Sequence, residues 1–76
     1  MNLQDFINNF ASQFEETDAN DFFGQTKFKD LDEWSSIIAL SIIAMVDEEY
    51  SVKIEDEDIY NSISIEDLYC IVKSRM

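Results

Sequence analysis

The sequence predicts an all-α fold: a small bundle of three main helices and one short helix, with a long ordered loop between the first two main helices. Three observations predict it. Apolar residues recur at spacings of three and four in three separate stretches, each stretch opens on a capping residue, and the one alternating stretch, Ser51–Glu55, is too short for a strand and has no partner. At 76 residues the chain makes one domain, residues 1–76, which buries only about 60% of its unfolded surface.

The first helix begins after Asn2, a capping residue with Asp5 in the capping-box position, and carries Leu3, Phe6, Ile7, Phe10 and Phe14 on one face. It is predicted to end near Glu16, where Thr17, Asp18, Asn20 and Asp21 bring in loop chemistry and Gly24, the only glycine, permits a turn. From Thr17 to Ser35 no period is sustained, which is unusually long for a connection in a compact domain. Phe22, Phe23, Phe28, Leu31 and Trp34 are spaced as anchors onto a core, and a disordered linker would not carry five such groups, so an ordered loop is predicted.

The second helix starts at Ser35 and Ser36 and runs to about Tyr50. Ala39, Ile42, Ile43, Val46 and Tyr50 share the face expected against the first helix. Ile37, Leu40 and Ala44 lie on another strip beside Ser41, Asp47 and Glu48, so either this helix is nearly central or the strip is a docking surface. Val52 and Ile54 are then core anchors of a connection, Glu55–Asp58 supplies four acids to the positive end of a short helix, and Ser64 caps a last helix with Asp67 in the capping-box position. That helix is predicted to bury Ile65, Leu68, Ile71 and Val72, with Cys70 as a further core residue and Lys73 and Arg75 at its C-terminus.

Composition narrows the function. Seventeen acidic residues against five basic ones repel phosphate backbones and anionic lipid and attract proteins with exposed Lys/Arg patches. No nucleic acid partner and no membrane insertion are expected; the start of the chain lacks the basic and apolar regions of a signal peptide, so a cytoplasmic location is expected, and the chain is expected to be a monomer. One cysteine and no histidine argue against a disulfide and a structural zinc site. A calcium loop over Asp56–Asp67 would need glycine where Asn61 stands and glutamate where Asp67 stands, so no metal is assigned. Without a histidine base, and in a chain too small to enclose a substrate, the serines do not make an independent enzyme, and no catalytic residue is assigned.

Two serines at the mouth of a helix have one ordinary role, capping, which suits Ser35. Ser36 is then the hydroxyl open to modification, because a phosphodiester there would sit where free amides and the helix dipole favour negative charge. At this point "LDEWSSIIALSIIAMVDEEYSVKIEDEDI", followed by "SISIEDLYCIV", resembles the acyl carrier proteins, the phosphopantetheine-binding carrier domains, in their discrete bacterial form. That family has an Asp-Ser-Leu motif at the start of helix two, an acidic end of the same helix, and a Thr-Val-Glu-Asp-Leu type of last-helix start. Leu31 and Trp34 match its Leu-x-x-Trp-Asp-Ser-Leu variant. The resemblance is good from helix two to the C-terminus and extends to the first helix and loop in length and pattern only.

The resemblance implies an acyl-carrier-like domain in which Ser36 receives 4'-phosphopantetheine from coenzyme A through a separate phosphopantetheinyl transferase. The arm then carries acyl groups as thioesters for fatty acid or related polyketide and lipid biosynthesis. It also implies that Ile37, Leu40, Ser41, Ala44, Asp47 and Glu48 meet basic docking patches of the transferase and of acyl-processing enzymes. The chain departs from the motif where Ser35 replaces the aspartate and Ile37 the leucine. Asp32 and Glu33 stand close enough to be expected as compensating carboxylates. The alternative is a carrier-like fold that is never modified and serves as a protein-interaction module.

Overall fold

The computed structural model describes residues 2–76 and is all-helical: α1 (Leu3–Ala11), α2 (Ser36–Tyr50), α3 (Asp56–Tyr60) and α4 (Ile65–Ser74), with no strand among the described residues. The fold is thus the small helical bundle that the sequence predicts. The long connection between α1 and α2 contains two short 3-10 turns, Ala19–Asp21 and Phe28–Asp30.

In α1 the Asn2 side chain accepts the Asp5 amide at 2.8 Å, and Phe6, Ile7, Phe10 and Ala11 face inward. The helix ends at Ala11, short of Glu16. Its last turn tightens as the Gln13 amide donates to the Phe10 carbonyl and the Phe14 amide to the Ala11 carbonyl. The amides of Glu15, Glu16 and Thr17 would point at carbonyls four residues back in a longer helix. They donate instead to the carboxylate of Glu33.

Phe10 is the hub of the core. Its ring centroid lies 6.4 Å from that of Phe6, 5.7 Å from Phe14, 6.3 Å from Phe22 and 5.1 Å from Phe28. Tilted, edge-to-face and stacked pairs of this kind contribute roughly 0.5–1.5 kcal/mol each beyond the area they bury. Around the rings pack Ile42, Met45 and Val46 of α2, Val52 and Ile54 of the following connection, Ile59 of α3, and Ile65, Leu68 and Val72 of α4. Val52 and Ile54 are therefore the anchors that their alternation suggested.

The long loop is ordered by its anchors and by its carbonyls. Phe22 and Phe28 are buried, and Leu31 and Trp34 pack half-buried against the core. Phe23, expected as a fifth anchor, is 64% exposed. Phe22 has extended backbone, so its neighbour turns to the opposite side, and the Phe23 amide is held in a turn by the Thr26 hydroxyl at 2.8 Å. Loop carbonyls also receive the first amides of α4, which have no acceptor within their own helix. Ile65 donates to the Thr26 carbonyl at 3.2 Å and Glu66 to that of Gly24 at 2.9 Å. The space at Gly24 is tight but not closed to a side chain: a Cβ there would stand 3.3 Å from Leu3 Cδ2 and 3.4 Å from Glu66 Oε2, both ends of flexible side chains.

The C-terminal half is fixed by caps. Ser64 and Asp67 form a reciprocal capping box on α4, and Glu55 and Asp58 form one on α3. Lys29 reaches across from the loop to donate to the carbonyls of Ile59 and Tyr60, covering the negative end of α3. Arg75 grips Asp58 with two bonds of 2.7 Å, which ties the end of α4 to the start of α3. Those bonds outweigh the partial desolvation of the Asp58 carboxyl and hold its pKa below the ordinary aspartate value. Cys70 is exposed and not a core residue. Ile65, Leu68 and Val72 take the inward face at spacings of three and four, which turns position 70 away from it.

One backbone position is strained. Ser51 ends α2 in the left-handed region, at φ 56° and ψ 34°, where its amide bonds to the Asp47 carbonyl at 2.9 Å. A side chain there costs about 1–2 kcal/mol of crowding, and glycine's extra chain entropy offsets about 0.5–1 kcal/mol of the relief. Ser51→Gly is therefore expected to raise the unfolding free energy by about 0.5–1 kcal/mol in urea denaturation. Ser51→Val, β-branched, should lower it; equal effects of the two variants would contradict this account.

Candidate functional site

The mouth of α2 separates the roles of the two serines. Ser35 is the cap: it has extended backbone, at φ −155° and ψ 171°, and its hydroxyl oxygen accepts the Ile38 amide at 3.3 Å. Ser36 is the first residue of the helix proper and is exposed. Its hydroxyl takes part in none of the side-chain hydrogen bonds among the described residues, and the amides of Ser36 and Ile37, at the open end of the helix, have no protein acceptor there either. An exposed hydroxyl, two free amides and the positive end of a 15-residue helix fit a phosphodiester attached at Ser36.

Below that mouth α2 divides into two faces. Ile42, Met45 and Val46 are buried, with Ile38, Ala39, Ile43 and Tyr50 half-buried beside them. Met45 and Ile38 join the expected inward face. On the outward side Ile37 is 73% exposed and Leu40 62%. Ala44, Asp47 and Glu48 are exposed as well, while Ser41 is half-buried and donates to the Ile37 carbonyl at 3.2 Å. The helix is thus not central. Its spare apolar strip faces solvent and runs from Ser36 toward the acidic C-terminal turn.

Glu33 does not stand free beside the serines, as a compensating carboxylate would have to. Its two oxygens accept the amides of Glu15 at 2.7 Å, Glu16 at 3.0 Å and Thr17 at 2.8 Å, together with the Thr17 hydroxyl at 2.8 Å. Desolvation at this seam works against the charged form, but the four bonds outweigh it and hold the Glu33 carboxyl below the ordinary glutamate value. Nothing in the sequence singled out this acid, since its partners are local neither in position nor in pattern. Asp32 is exposed and the first turn of α2 carries no acid. Two of the acids weighed as a calcium loop are committed elsewhere: Asp58 to Arg75, and Asp67 to the amides of Ile63 and Ser64.

No described helix is long and apolar enough to cross a membrane. Comparison with known proteins brings no relative to this arrangement: no protein family, no curated protein and no solved structure matches the chain.

Because the folded Glu33 pKa lies below its unfolded value, its contribution to stability is complete above the ordinary glutamate pKa of about 4.3 and is lost as pH falls through the depressed folded value. Glu33→Gln is accordingly expected to lower the melting temperature at pH 7. The difference from the unsubstituted chain should close as pH drops below that ordinary value. A difference independent of pH from 7 to 3 would contradict the charge-assisted latch.

Proposed function

We propose that this chain is an acyl carrier whose Ser36 receives a 4'-phosphopantetheine arm from coenzyme A, in fatty acid or related polyketide and lipid biosynthesis. The arm, once attached, supplies a thiol that bears acyl groups as thioesters. The chain itself is the handle for partner enzymes and not a catalyst. The observation that carries the reading is the division of labour at the mouth of α2: Ser35 closes the helix, which leaves the Ser36 hydroxyl exposed and unbonded beside free amides.

A second feature supports it. The strip of Ile37, Leu40, Ser41 and Ala44 leads from Ser36 to Asp47 and Glu48, and seventeen acids against five basic residues leave the chain a net charge of −12. Such a surface suits a transferase and acyl-processing enzymes whose docking patches are basic and apolar. A cytoplasmic, monomeric carrier is part of the same reading. The alternative, an interaction module that is never modified, is favoured by Ser35 in place of the family's aspartate, since Glu33 is occupied at the α1 exit and does not replace that charge.

The deciding experiment is intact mass after incubation with coenzyme A, Mg²⁺ and a promiscuous phosphopantetheinyl transferase. One arm is expected on the unsubstituted chain and on Ser35→Ala, and none on Ser36→Ala. Absence of the arm, both in vitro and on the chain isolated from its native cell, would leave the interaction module as the better reading.

Ser35→Asp keeps a good cap and adds a rim carboxylate, so it is expected to speed modification, with most of the gain lost at high salt. An unchanged rate would show that position 35 does not limit recognition by the transferase.

A further inference from the structure

The entrance of α2 has less local support than those of α3 and α4. On α3 and α4 the cap and the third helical residue hold each other's amides in reciprocal boxes. On α2 the third residue is Ile38, which has no side-chain oxygen to return to Ser35. The cap bond is 3.3 Å, long for its kind, and the first turn carries no acid to meet the helix dipole. An entrance built this way frays readily, and Ser36 is its first residue.

What holds it lies just before the cap. The Glu33 carboxylate takes the amides of Glu15, Glu16 and Thr17 and the Thr17 hydroxyl. The Trp34 ring stacks 6.4 Å from Phe14, the residue before Glu15, and meets Phe28 edge-on at 5.0 Å. The Trp34 amide also donates to the Leu31 carbonyl at 3.0 Å. Two neighbouring side chains, one polar and one aromatic, thus fasten residues 33–34 to the α1 exit, and only Ser35 stands between Trp34 and Ser36.

We propose that Glu33 is a positioning residue for the modification of Ser36. Its latch fixes the segment that leads into α2 and so keeps the entrance in the arrangement that leaves Ser36 exposed beside free amides. The proposal rests on the carrier reading of Ser36. Glu33 acts through the loop and not through the enzyme, because its charge is taken up by the α1 exit. A chain whose entrance is competent only part of the time binds its enzyme more weakly by that fraction and reacts normally once bound. The loss therefore falls on KM for the chain and leaves kcat.

Two substitutions weaken the latch from opposite sides. Glu33→Gln removes the charge and one acceptor oxygen, whereas Thr17→Val removes one hydroxyl bond and leaves every charge in place. Tyr50→Phe, which breaks the Asn9 bond at the C-terminal end of α2, is the control for a general loss of stability. The assay is transfer from coenzyme A by the promiscuous phosphopantetheinyl transferase, at a temperature where every variant is folded by near-ultraviolet circular dichroism. KM for the chain is expected to rise about three-fold in Glu33→Gln and about two-fold in Thr17→Val, with kcat nearly constant, and to stay unchanged in Tyr50→Phe. Amide hydrogen exchange at Ile38 and Ala39, both bonded to Ser35, should quicken in the two latch variants alone.

An equal rise of KM in Tyr50→Phe would overturn the proposal, since the effect would then be loss of stability. A rise confined to Glu33→Gln and abolished by high salt would also overturn it, since the enzyme would then be reading the charge directly. Unchanged exchange at Ile38 and Ala39 overturns it without any transferase, even if Ser36 takes the arm. No arm on the unsubstituted chain removes the carrier reading and this role with it, whatever the exchange shows.

Discussion

The Glu33 carboxylate closes the long loop on itself by accepting the amides of Glu15, Glu16 and Thr17 and the hydroxyl of Thr17, and this one contact joins the exit from α1 to the entrance of α2. Three successive amides turned toward a single anion cannot also continue a helix. With the α1 exit and the α2 entrance joined, the intervening residues must return on themselves, which brings Phe22, Phe28 and Trp34 onto the Phe10 hub. The aromatic core and the polar latch therefore support each other: the rings hold the seam from inside, and the carboxylate neutralises amides that would otherwise be unpaired at its edge.

The same economy governs the charges. Among the described residues several acids serve as caps and latches: Asp18 takes the Asn20 amide, Glu55 and Asp58 box α3, Asp67 boxes α4, and Glu33 closes the loop. Two of the few cations are tied to helix ends, Lys29 at the carbonyls of α3 and Arg75 at Asp58. The acids with no such employment include Asp47, Glu48 and Glu49, exposed on the last turn of α2. They lie at the negative end of that helix, where like charge is unfavourable. Folding gives no reason for acids there, and the proposed docking of a basic partner would supply one.

Local chemistry was legible in the sequence wherever local chemistry decided the outcome. The Ser64–Asp67 box, the Ser35 cap and the anchors Val52 and Ile54 all stand where pattern places them. The exposed strip of α2 was visible as an apolar surplus, but the choice between a central helix and a free face depended on what the other helices cover. The misplacements share one cause. The extent of α1, the outward turn of Phe23 and the exposure of Cys70 were settled by contacts or by competition for the inward face: Glu33 for the first, Phe22 for the second, and Leu68 and Val72 for the third. An acid that binds amides sixteen residues away in sequence looks like any other acid until the chain is folded.

Under the proposed carrier function, a serine at position 35 where the acyl carrier motif has aspartate bears on the function more than on the fold. Aspartate and serine are about equally good at the N-cap, because each offers an oxygen to the amide two or three residues on. Either residue therefore frees position 36, whose Cα–Cβ bond tilts toward the N-terminus of the helix and so toward the open mouth. What differs is a negative charge at the rim, which changes encounter with a cationic partner far more than it changes the helix. Geometry and recognition are thus separable at adjacent residues: the cap at 35 leaves the hydroxyl at 36 presented, and under the proposed carrier function the charge at 35 is what a modifying enzyme would meet first.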